Sequence, residues 1–304
     1  GLGDVYKRQL FYNGEDICIL RYSKQLIERW LYIMERKNAW LSYGEADETA
    51  MEKLAKDYRA FLDAGKTERE CVTELVREAE ANGYVNLETK LAAGEKIQPG
   101  DKVYAVGMKK IMALFHVGQE PLEKGMNILG AHIDSPRLDV KQNPLYEDTD
   151  LAYLDTHYYG GVKKYQWVAI PLAIHGVIVK KDGSVVDVVI GEDENDPIVY
   201  ITDLLIHLAG KQLQKKAAEV IEGENLDILI GSRPLNESTD EKQKEAVKSN
   251  VLRILKEKYD VEEEDFLSAE LEIVPAGKAR DCGLDRSICL LYTSPSPRDT
   301  ERSR

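Results

Sequence analysis

Residues 165–191, "YQWVAIPLAIHGVIVKKDGSVVDVVIG", constrain the fold of this chain more than any other stretch. Two long runs rich in Val and Ile flank Asp182-Gly183, and this dipeptide is typical of the tight turn of a β-hairpin. Runs of this kind exclude an all-helical fold, so we expect two paired strands here.

Helical patterns precede and follow the hairpin, which indicates a mixed fold. Thr67 and Glu70 form a capping box at the start of one of them. The spacing of apolar residues predicts four helices, at 47–65, 67–83, 201–223 and roughly 240–258.

Further strands are predicted on both sides of the hairpin. Short strands are expected at 101–108 and 111–118, and a return to strand and loop after residue 266. The segment 125–135, "GMNILGAHIDS", predicts a buried strand because its apolar run is continuous rather than alternating.

The order of these elements predicts an α/β fold in two parts. We assign residues 34–140 and 271–289 to one α/β domain. Residues 141–270 then form an inserted, β-rich second domain.

Both ends of the chain resemble translated sequencing-adapter sequence, with "GLGDVYKRQ" at the start and "LLYTSPSPRDTERSR" at the end. We therefore set residues 1–33 and 290–304 apart from the domains and treat 290–304 as an artefactual tail. Residues 10–33 are either translated upstream sequence ahead of Met34 or a genuine helix, because "KQLIERWLYIMERK" has helical spacing.

Composition excludes several classes of function. The net charge of −13 over 304 residues argues against nucleic acid as the main partner. No stretch approaches the roughly 20 apolar residues of a membrane span. The four cysteines form no CxxC pair, so we expect a reducing, cytoplasmic location.

His132 and Asp134 in "GAHIDSPR" are the strongest candidates for chemistry. Residues i and i+2 of a strand point to the same face, so the two side chains can meet where the strand ends. A carboxylate that accepts the second ring N–H of a histidine orients the ring and raises the basicity of its metal-facing nitrogen. Spacing alone leaves two alternatives open, a metal ligand or the ordinary polar end of a buried strand.

Five longer blocks occur in the order "GAHIDSPRLDVKQNPLY", "THYYGGVKKYQWVAIPLAIHGVIVKKDG", "IVYITDLLIHLAGKQ", "DILIGSRPL" and "AELEIVPAGKARDCGLDRS". Together they resemble the M18 family of zinc aminopeptidases, the aspartyl-aminopeptidase-like group in its bacterial form. The resemblance covers residues 34–289. It implies a phosphorylase/hydrolase-like catalytic domain that is interrupted by a β-rich oligomerisation domain, and an enzyme that removes acidic or neutral N-terminal residues from peptides.

The resemblance also implies a pair of zinc ions that activates a water, with a glutamate as general base. His132 corresponds to a zinc ligand and Asp134 to the carboxylate that supports it. The bridging aspartate, the Glu-Glu pair, the later aspartate and the C-terminal histidine of the family have no counterpart, since Asp299 lies in the adapter-like tail. We therefore expect an incomplete catalytic domain and an inactive, metal-poor chain, because catalytic zinc uses at least three protein ligands.

His207 has two interpretations. Its predicted helix places it with Asp203 and Lys211 on a polar face, which indicates a surface histidine. The opposite, buried stripe of that helix comprises Leu204, Leu205 and Leu208. The resemblance implies instead that His207 reaches into a neighbouring subunit's active site and helps to bind substrate, within a homo-oligomer that is built from dimers and reaches a dodecamer.

Structural roles are predicted for the remaining histidines. Asp155 and His157 mimic a ligand pair, but Gly160-Gly161 indicates a turn. His175 within an apolar strand and His116 at a strand end are expected to be packed or hydrogen-bonded.

Two other functions stay open. One is a different co-catalytic zinc hydrolase, such as a carboxypeptidase or deacylase, although the "THYYGG" and "KKYQW" segments speak against it. The other is a non-catalytic, homo-oligomerising fragment.

Overall fold

The computed structural model describes residues 38–235 and 245–286, and the backbone of 288–290. The alternatives for residues 1–33, the start at Met34 and the tail beyond 290 lie outside the described residues. The chain divides into two compact units, 1–54 and 55–304.

Four α-helices occur among the described residues, three of them between residues 45 and 92. Two of them confirm the predictions at 47–65 and 67–83, and a fourth confirms the described part of the one at 240–258. The second begins with the predicted capping box, in which the Thr67 side chain accepts from Glu70 N and Glu70 accepts from Thr67 N. The helices are α1 (Glu45–Ala64), α2 (Glu68–Ala81), α3 (Leu87–Ala92) and α4 (Ala246–Tyr259).

A small sheet follows α2. Its strands are β1 (Val85–Asn86), β2 (Lys102–Gly107) and β3 (Ile111–His116), in the order β1-β2-β3. β1 runs parallel to β2, and β2 pairs antiparallel with β3. The two short strands predicted at 101–108 and 111–118 are thereby confirmed.

A six-stranded sheet forms the centre of the second unit. Its strands are β4 (Arg137–Asp148), β5 (Leu151–Tyr159), β6 (Leu172–Val179), β7 (Val185–Ile190), β8 (Ile228–Gly231) and β9 (Ala269–Pro275). They are arranged β7-β6-β9-β4-β5-β8, and every adjacent pair is antiparallel. A two-stranded ribbon, β10 (Arg280–Cys282) with β11 (Ile288–Leu290), follows.

The hairpin predicted from residues 165–191 is confirmed as β6 and β7. Gly183 has φ +85°, a conformation that glycine adopts without steric cost. Lys180 N donates to the Ser184 main-chain oxygen over 2.8 Å, which closes the turn, and Ser184 N donates to Asp182 Oδ1 over 2.9 Å within it.

The core lies on one face of this sheet, beneath α4. Leu138, Leu172 and Ile273 are fully buried, and α4 adds Val247 and Val251. A Cβ at Gly231 would lie 2.7 Å from Val251 Cγ2, so the glycine permits the helix to approach β8 closely.

The sheet spans residues 137–275, whereas the predicted insertion spans 141–270. Strand β4 therefore begins before residue 141, and β9 ends after residue 270. The two strands lie next to each other in the sheet. The assignment of catalytic and inserted domains stays a prediction.

The buried strand predicted at 125–135 is wrong. The segment has no strand, and Ile128 and Leu129 are 81% and 100% exposed. A strand of this type is stable when neighbouring strands satisfy its backbone and cover its side chains. Within the described residues, no strand pairs with this segment.

The helix predicted at 201–223 is also wrong. The segment forms turns and one short 3-10 helix, Gln212–Gln214. The leucines of the expected stripe, Leu204, Leu205 and Leu208, are exposed. Amphipathic helices owe most of their stability to packing of the apolar face, and the described part of the chain provides no surface against this stripe.

No helix among the described residues is long and apolar enough to cross a membrane.

Candidate metal-ligand site

His132 and Asp134 meet as the sequence predicts, although they lie on irregular backbone rather than at a strand end. His132 Nδ1 lies 3.1 Å from Asp134 Oδ1 and 2.9 Å from the main-chain oxygen of the same residue. The imidazole is 74% exposed. With Nδ1 engaged in this way, Nε2 is the ring nitrogen that remains for a metal.

Asp134 has a second partner, which the sequence did not reveal. The Tyr159 hydroxyl donates to Asp134 Oδ2 over 3.0 Å. Burial by itself would raise the pKa of Asp134, but this hydrogen bond and the neighbouring His132 lower it overall. The carboxylate is therefore held in the charged form that accepts an imidazole N–H.

Tyr159 is in turn held by Arg137. The two residues are opposite each other in the β4–β5 pairing. The Arg137 guanidinium lies over the Tyr159 ring, 4.1 Å from its centroid, in the range of a cation–π contact. The buried Arg137 guanidinium therefore holds the Tyr159 ring in place.

Arg137 belongs to a buried ionic cluster. Its Nη1 donates to Glu68 Oε1 and its Nε to Asp139 Oδ1, each over 2.8 Å. Glu272 Oε2 lies 3.2 Å from Nε but receives no hydrogen bond, since the single Nε proton is directed at Asp139. Glu68 Oε2 is likewise buried without a hydrogen bond.

The excess of buried carboxylate alters the ionisation of Glu272. Burial and the charge of Glu68 raise its pKa to about 7, against the opposing attraction of Arg137. Two buried acids thus share one guanidinium, and at neutral pH the cluster holds a proton on Glu272 part of the time.

A second buried cluster surrounds His175 on β6. Its ring nitrogens lie 2.7 Å from Glu70 Oε1 and 3.0 Å from Glu192 Oε1. Lys66 Nζ donates to Glu192 and to the Gly277 carbonyl. Burial would lower the pKa of His175, but its two carboxylate partners outweigh burial and raise it to about 9. The prediction that His175 is a hydrogen-bonded histidine is confirmed.

The other histidines stay apart from these groups. His207 is exposed in a turn, and Gln212 rather than His207 contacts Asp203. His157 is an exposed residue of β5, stacked on Tyr158, and not part of the predicted turn. His116 ends β3 as predicted but is exposed, so the expectation that it is packed is wrong.

The described residues fit one part of a zinc site. His132 has the exposure and the carboxylate partner that a ligand needs. A catalytic zinc uses at least three protein ligands. No group of three His, Cys, Asp or Glu side chains that could share a metal occurs within residues 38–235 and 245–286. These residues alone do not form a zinc site.

Sequence reasoning missed Tyr159, Arg137 and Glu272. Tyr159 and Arg137 meet through the pairing of β4 with β5, Glu272 approaches Arg137 through the pairing of β4 with β9, and none of the three belongs to a short motif. The nearest signal was position, because Arg137 follows Asp134 by three residues and Tyr159 ends the strand that returns to it.

Comparison with known proteins points to a single family. The family model described as "Aminopeptidase I zinc metalloprotease (M18)" matches residues 61–292. A "Probable M18 family aminopeptidase 1" from Clostridium acetobutylicum is 61% identical over 260 residues, which are 86% of this chain and 55% of that protein. The chain thus spans about half the length of the curated relatives that it matches.

Solved structures agree. Aminopeptidase I from Clostridium acetobutylicum gives a TM-score of 0.74 at 59% identity, covering 83% of this chain and 55% of that one. The M18-family aminopeptidase from Thermotoga maritima gives 0.76 at 45% identity, covering 84% and 54%. The mApe1 dodecamer of S. cerevisiae shares the fold at 18% identity, with a TM-score of 0.56 over 78% of this chain and 51% of that one.

Proposed function

This chain belongs to the M18 family of zinc metalloproteases, and from this premise we propose that it supplies part of an aminopeptidase that removes acidic or neutral N-terminal residues from peptides. The mixed α/β fold of the chain and its similarity to solved M18 aminopeptidase structures agree with this family. The activity concerns a whole protein about twice as long as the matched segment.

The contact between His132 and Asp134 carries the proposal. A carboxylate behind Nδ1 is the arrangement that orients a metal-ligating histidine and fixes its tautomer. Because the pair lies within the matched residues 61–292, we assign His132 as a zinc ligand and Asp134 as its support.

Two zinc ions per active site, when bound, would activate a water for attack on the first peptide bond. The described residues of this chain are proposed to supply one metal ligand and its supporting carboxylate. His132 offers Nε2 to one metal, and Asp134 keeps the proton on Nδ1. The bridging aspartate, the Glu-Glu pair, a further aspartate and a histidine are proposed to lie in the part of the relatives that this chain does not match.

His207 is proposed to act on substrate in a neighbouring subunit. Its exposure, on a segment whose leucines are also exposed, supports a role at an interface between copies. On the same grounds we propose a homo-oligomer that is built from dimers and reaches a dodecamer. The S. cerevisiae relative, which shares the fold, is an example of a dodecamer. The cytoplasm is kept as the proposed location, in keeping with two free cysteines among the described residues.

The chain by itself is proposed to be inactive and metal-poor, since the described residues supply one ligand. Zinc content after dialysis tests this directly. We expect less than one firmly bound zinc per chain, whereas about two per chain, the number in a co-catalytic site, would contradict it.

A chimera tests the activity. Residues 61–289 of this chain would replace the matched segment of the Clostridium acetobutylicum aminopeptidase, and hydrolysis of aminoacyl substrates with acidic, neutral and basic first residues would be measured. We expect zinc-dependent activity that is lost in His132→Ala. An inactive chimera that binds zinc and assembles normally would sink the proposal. Activity only on C-terminal residues or on acylated amines would favour the carboxypeptidase or deacylase alternative, which the family match does not favour.

The same chimera tests the role of His207. His207→Ala is expected to raise KM or lower kcat at least about tenfold, the usual cost of losing a charge-assisted or polar contact to substrate. Unchanged kinetics would leave His207 as a surface histidine.

A further inference from the structure

Within the part of the chain that the structure describes, Tyr159 contacts the carboxylate behind His132 from the end of a regular strand. We propose that Tyr159 is a positioning residue, which fixes Asp134 so that His132 keeps its proton on Nδ1 and presents a bare Nε2. The inference rests on the proposed function in one respect only, namely that Nε2 is the nitrogen that faces a metal.

The need for such a residue follows from the local backbone. Residues 126–136 form neither helix nor strand, and the side chain of Asp134 is 42% exposed. An exposed carboxylate on irregular backbone samples several orientations, and only some of them direct an oxygen at the imidazole. The bond from Tyr159 to Oδ2 holds one oxygen and leaves Oδ1 directed at Nδ1.

The tyrosine can do this because it is itself anchored. It is the last residue of β5, paired with Arg137 of β4, and its ring lies against the Arg137 guanidinium. Arg137 is 6% exposed and is bonded to Glu68 and Asp139. Rigid contacts thus lead from the sheet interior through Arg137 and Tyr159 to Asp134 and then to His132.

A purely structural role for the hydroxyl predicts something different. If the Tyr159–Asp134 bond only tied the loop to the strand, its loss would change stability but not the position of the imidazole proton. The tautomer of His132 therefore separates the two roles, and it can be measured in the 304-residue chain without any metal.

The experiment is long-range ¹H–¹⁵N NMR on the chain labelled with ¹⁵N-histidine, at a pH where the spectrum shows a neutral ring. The chain has five histidines, so His132→Gln assigns the signal by its disappearance. In the wild type we expect the Nδ1–H tautomer to dominate. Tyr159→Phe removes only the hydroxyl and is expected to lower the ratio of Nδ1–H to Nε2–H about fivefold, the effect of one weakened hydrogen bond, but not to abolish the preference, because the Asp134 main-chain oxygen still lies 2.9 Å from Nδ1.

Tyr158→Phe is the matched control. Tyr158 is the neighbouring residue, is equally exposed at 39%, and stacks on His157 rather than contacting Asp134. It should leave the tautomer ratio of His132 unchanged.

Two results would overturn the inference. One is a wild-type spectrum in which His132 carries its proton mainly on Nε2, which needs no variant to fold. The other is a Tyr159→Phe chain with the wild-type ratio. The activity of the chimera is measured separately, so an active chimera together with either result would refute the positioning role of Tyr159 and leave the proposed function standing.

A second readout uses the active chimera. Tyr159→Phe is expected to weaken zinc retention against a chelator about tenfold, at the lower end of what loss of outer-shell support costs. Zinc retention equal to that of Tyr158→Phe would contradict the positioning role.

Discussion

His175 of β6 is joined to Glu70 of α2 by a contact of 2.7 Å between Nδ1 and Oε1 within the second unit. This contact connects residues 105 positions apart and uses a histidine whose pKa is raised to about 9. A charged imidazole between two carboxylates is therefore the resting state at neutral pH.

The first prediction concerns pH. A raised histidine pKa adds stability that is fully present below the unfolded value of 6.5 and is lost as the pH rises through about 9. The difference in free energy of unfolding between wild type and His175→Gln should thus be on the order of 2–3 kcal/mol at pH 6 and should shrink toward pH 9.5. Urea titrations at several pH values measure it. The exposed His116→Gln is the control, and a gap for His175→Gln that does not vary with pH would refute the prediction.

Glu272 should show the same direction of pH dependence in a lower pH window, although here the charged form is the destabilising one. Its pKa is raised from 4.5 to about 7, so the folded protein retains a proton that the unfolded chain has released between these values. Wild type should therefore lose stability relative to Glu272→Gln as the pH rises from 4.5 to 7, by an amount on the order of 2 kcal/mol.

Denaturant titrations between pH 4 and 8 test this second prediction. The exposed Glu88→Gln serves as the control and should follow the wild-type curve. Parallel curves for wild type and Glu272→Gln would show that the pKa of Glu272 is the same in the folded and the unfolded chain, and would contradict the prediction.

Arg137 is predicted to be far more important for stability than a surface arginine. Arg137→Met would leave Glu68 and Glu272 buried without their main counter-charge, at a cost on the order of 3 kcal/mol. Arg77→Met removes an arginine that is 66% exposed and pairs with Glu74 one helical turn away, so its melting temperature should stay at the wild-type value. Equal melting temperatures for the two variants would contradict the prediction.

Gly176 is predicted to tolerate no side chain. It has φ +148°, and a Cβ there would lie 1.9 Å from the Glu270 carbonyl oxygen of the adjacent strand β9. Gly176→Ala should destabilise the chain by at least about 2–3 kcal/mol, because β6 and β9 would have to separate. Gly161→Ala, where a Cβ meets nothing within 4 Å, should fold like the wild type when both are followed by circular dichroism.

Local signals allowed much of the fold to be predicted from the sequence. The capping box at Thr67 and the Asp182-Gly183 turn depend on residues within a few positions of one another, and both were predicted correctly. The segments 125–135 and 201–223 were predicted incorrectly because an apolar pattern predicts that a surface will be buried, but it does not identify the residues that would cover that surface. Ile128 and Leu129 of the first segment and the three leucines of the expected stripe in the second are exposed in the described structure.

The candidate site was predictable only in part, for a related reason. His132 and Asp134 are two residues apart, so their contact could be expected from spacing. Tyr159 reaches Asp134 only because β4 and β5 pair with Arg137 opposite Tyr159, and this register is not visible in either strand alone.

The contacts of Glu70 affect how the second unit unfolds. One of its carboxylate oxygens accepts from Lys66 N and Thr67 N at the start of α2, while the other contacts His175 in the sheet. The first turn of the helix and the middle of the sheet thus depend on the same carboxylate. Helix and sheet should therefore lose their amide protection from hydrogen exchange together, as one cooperative unit, instead of the helix fraying first.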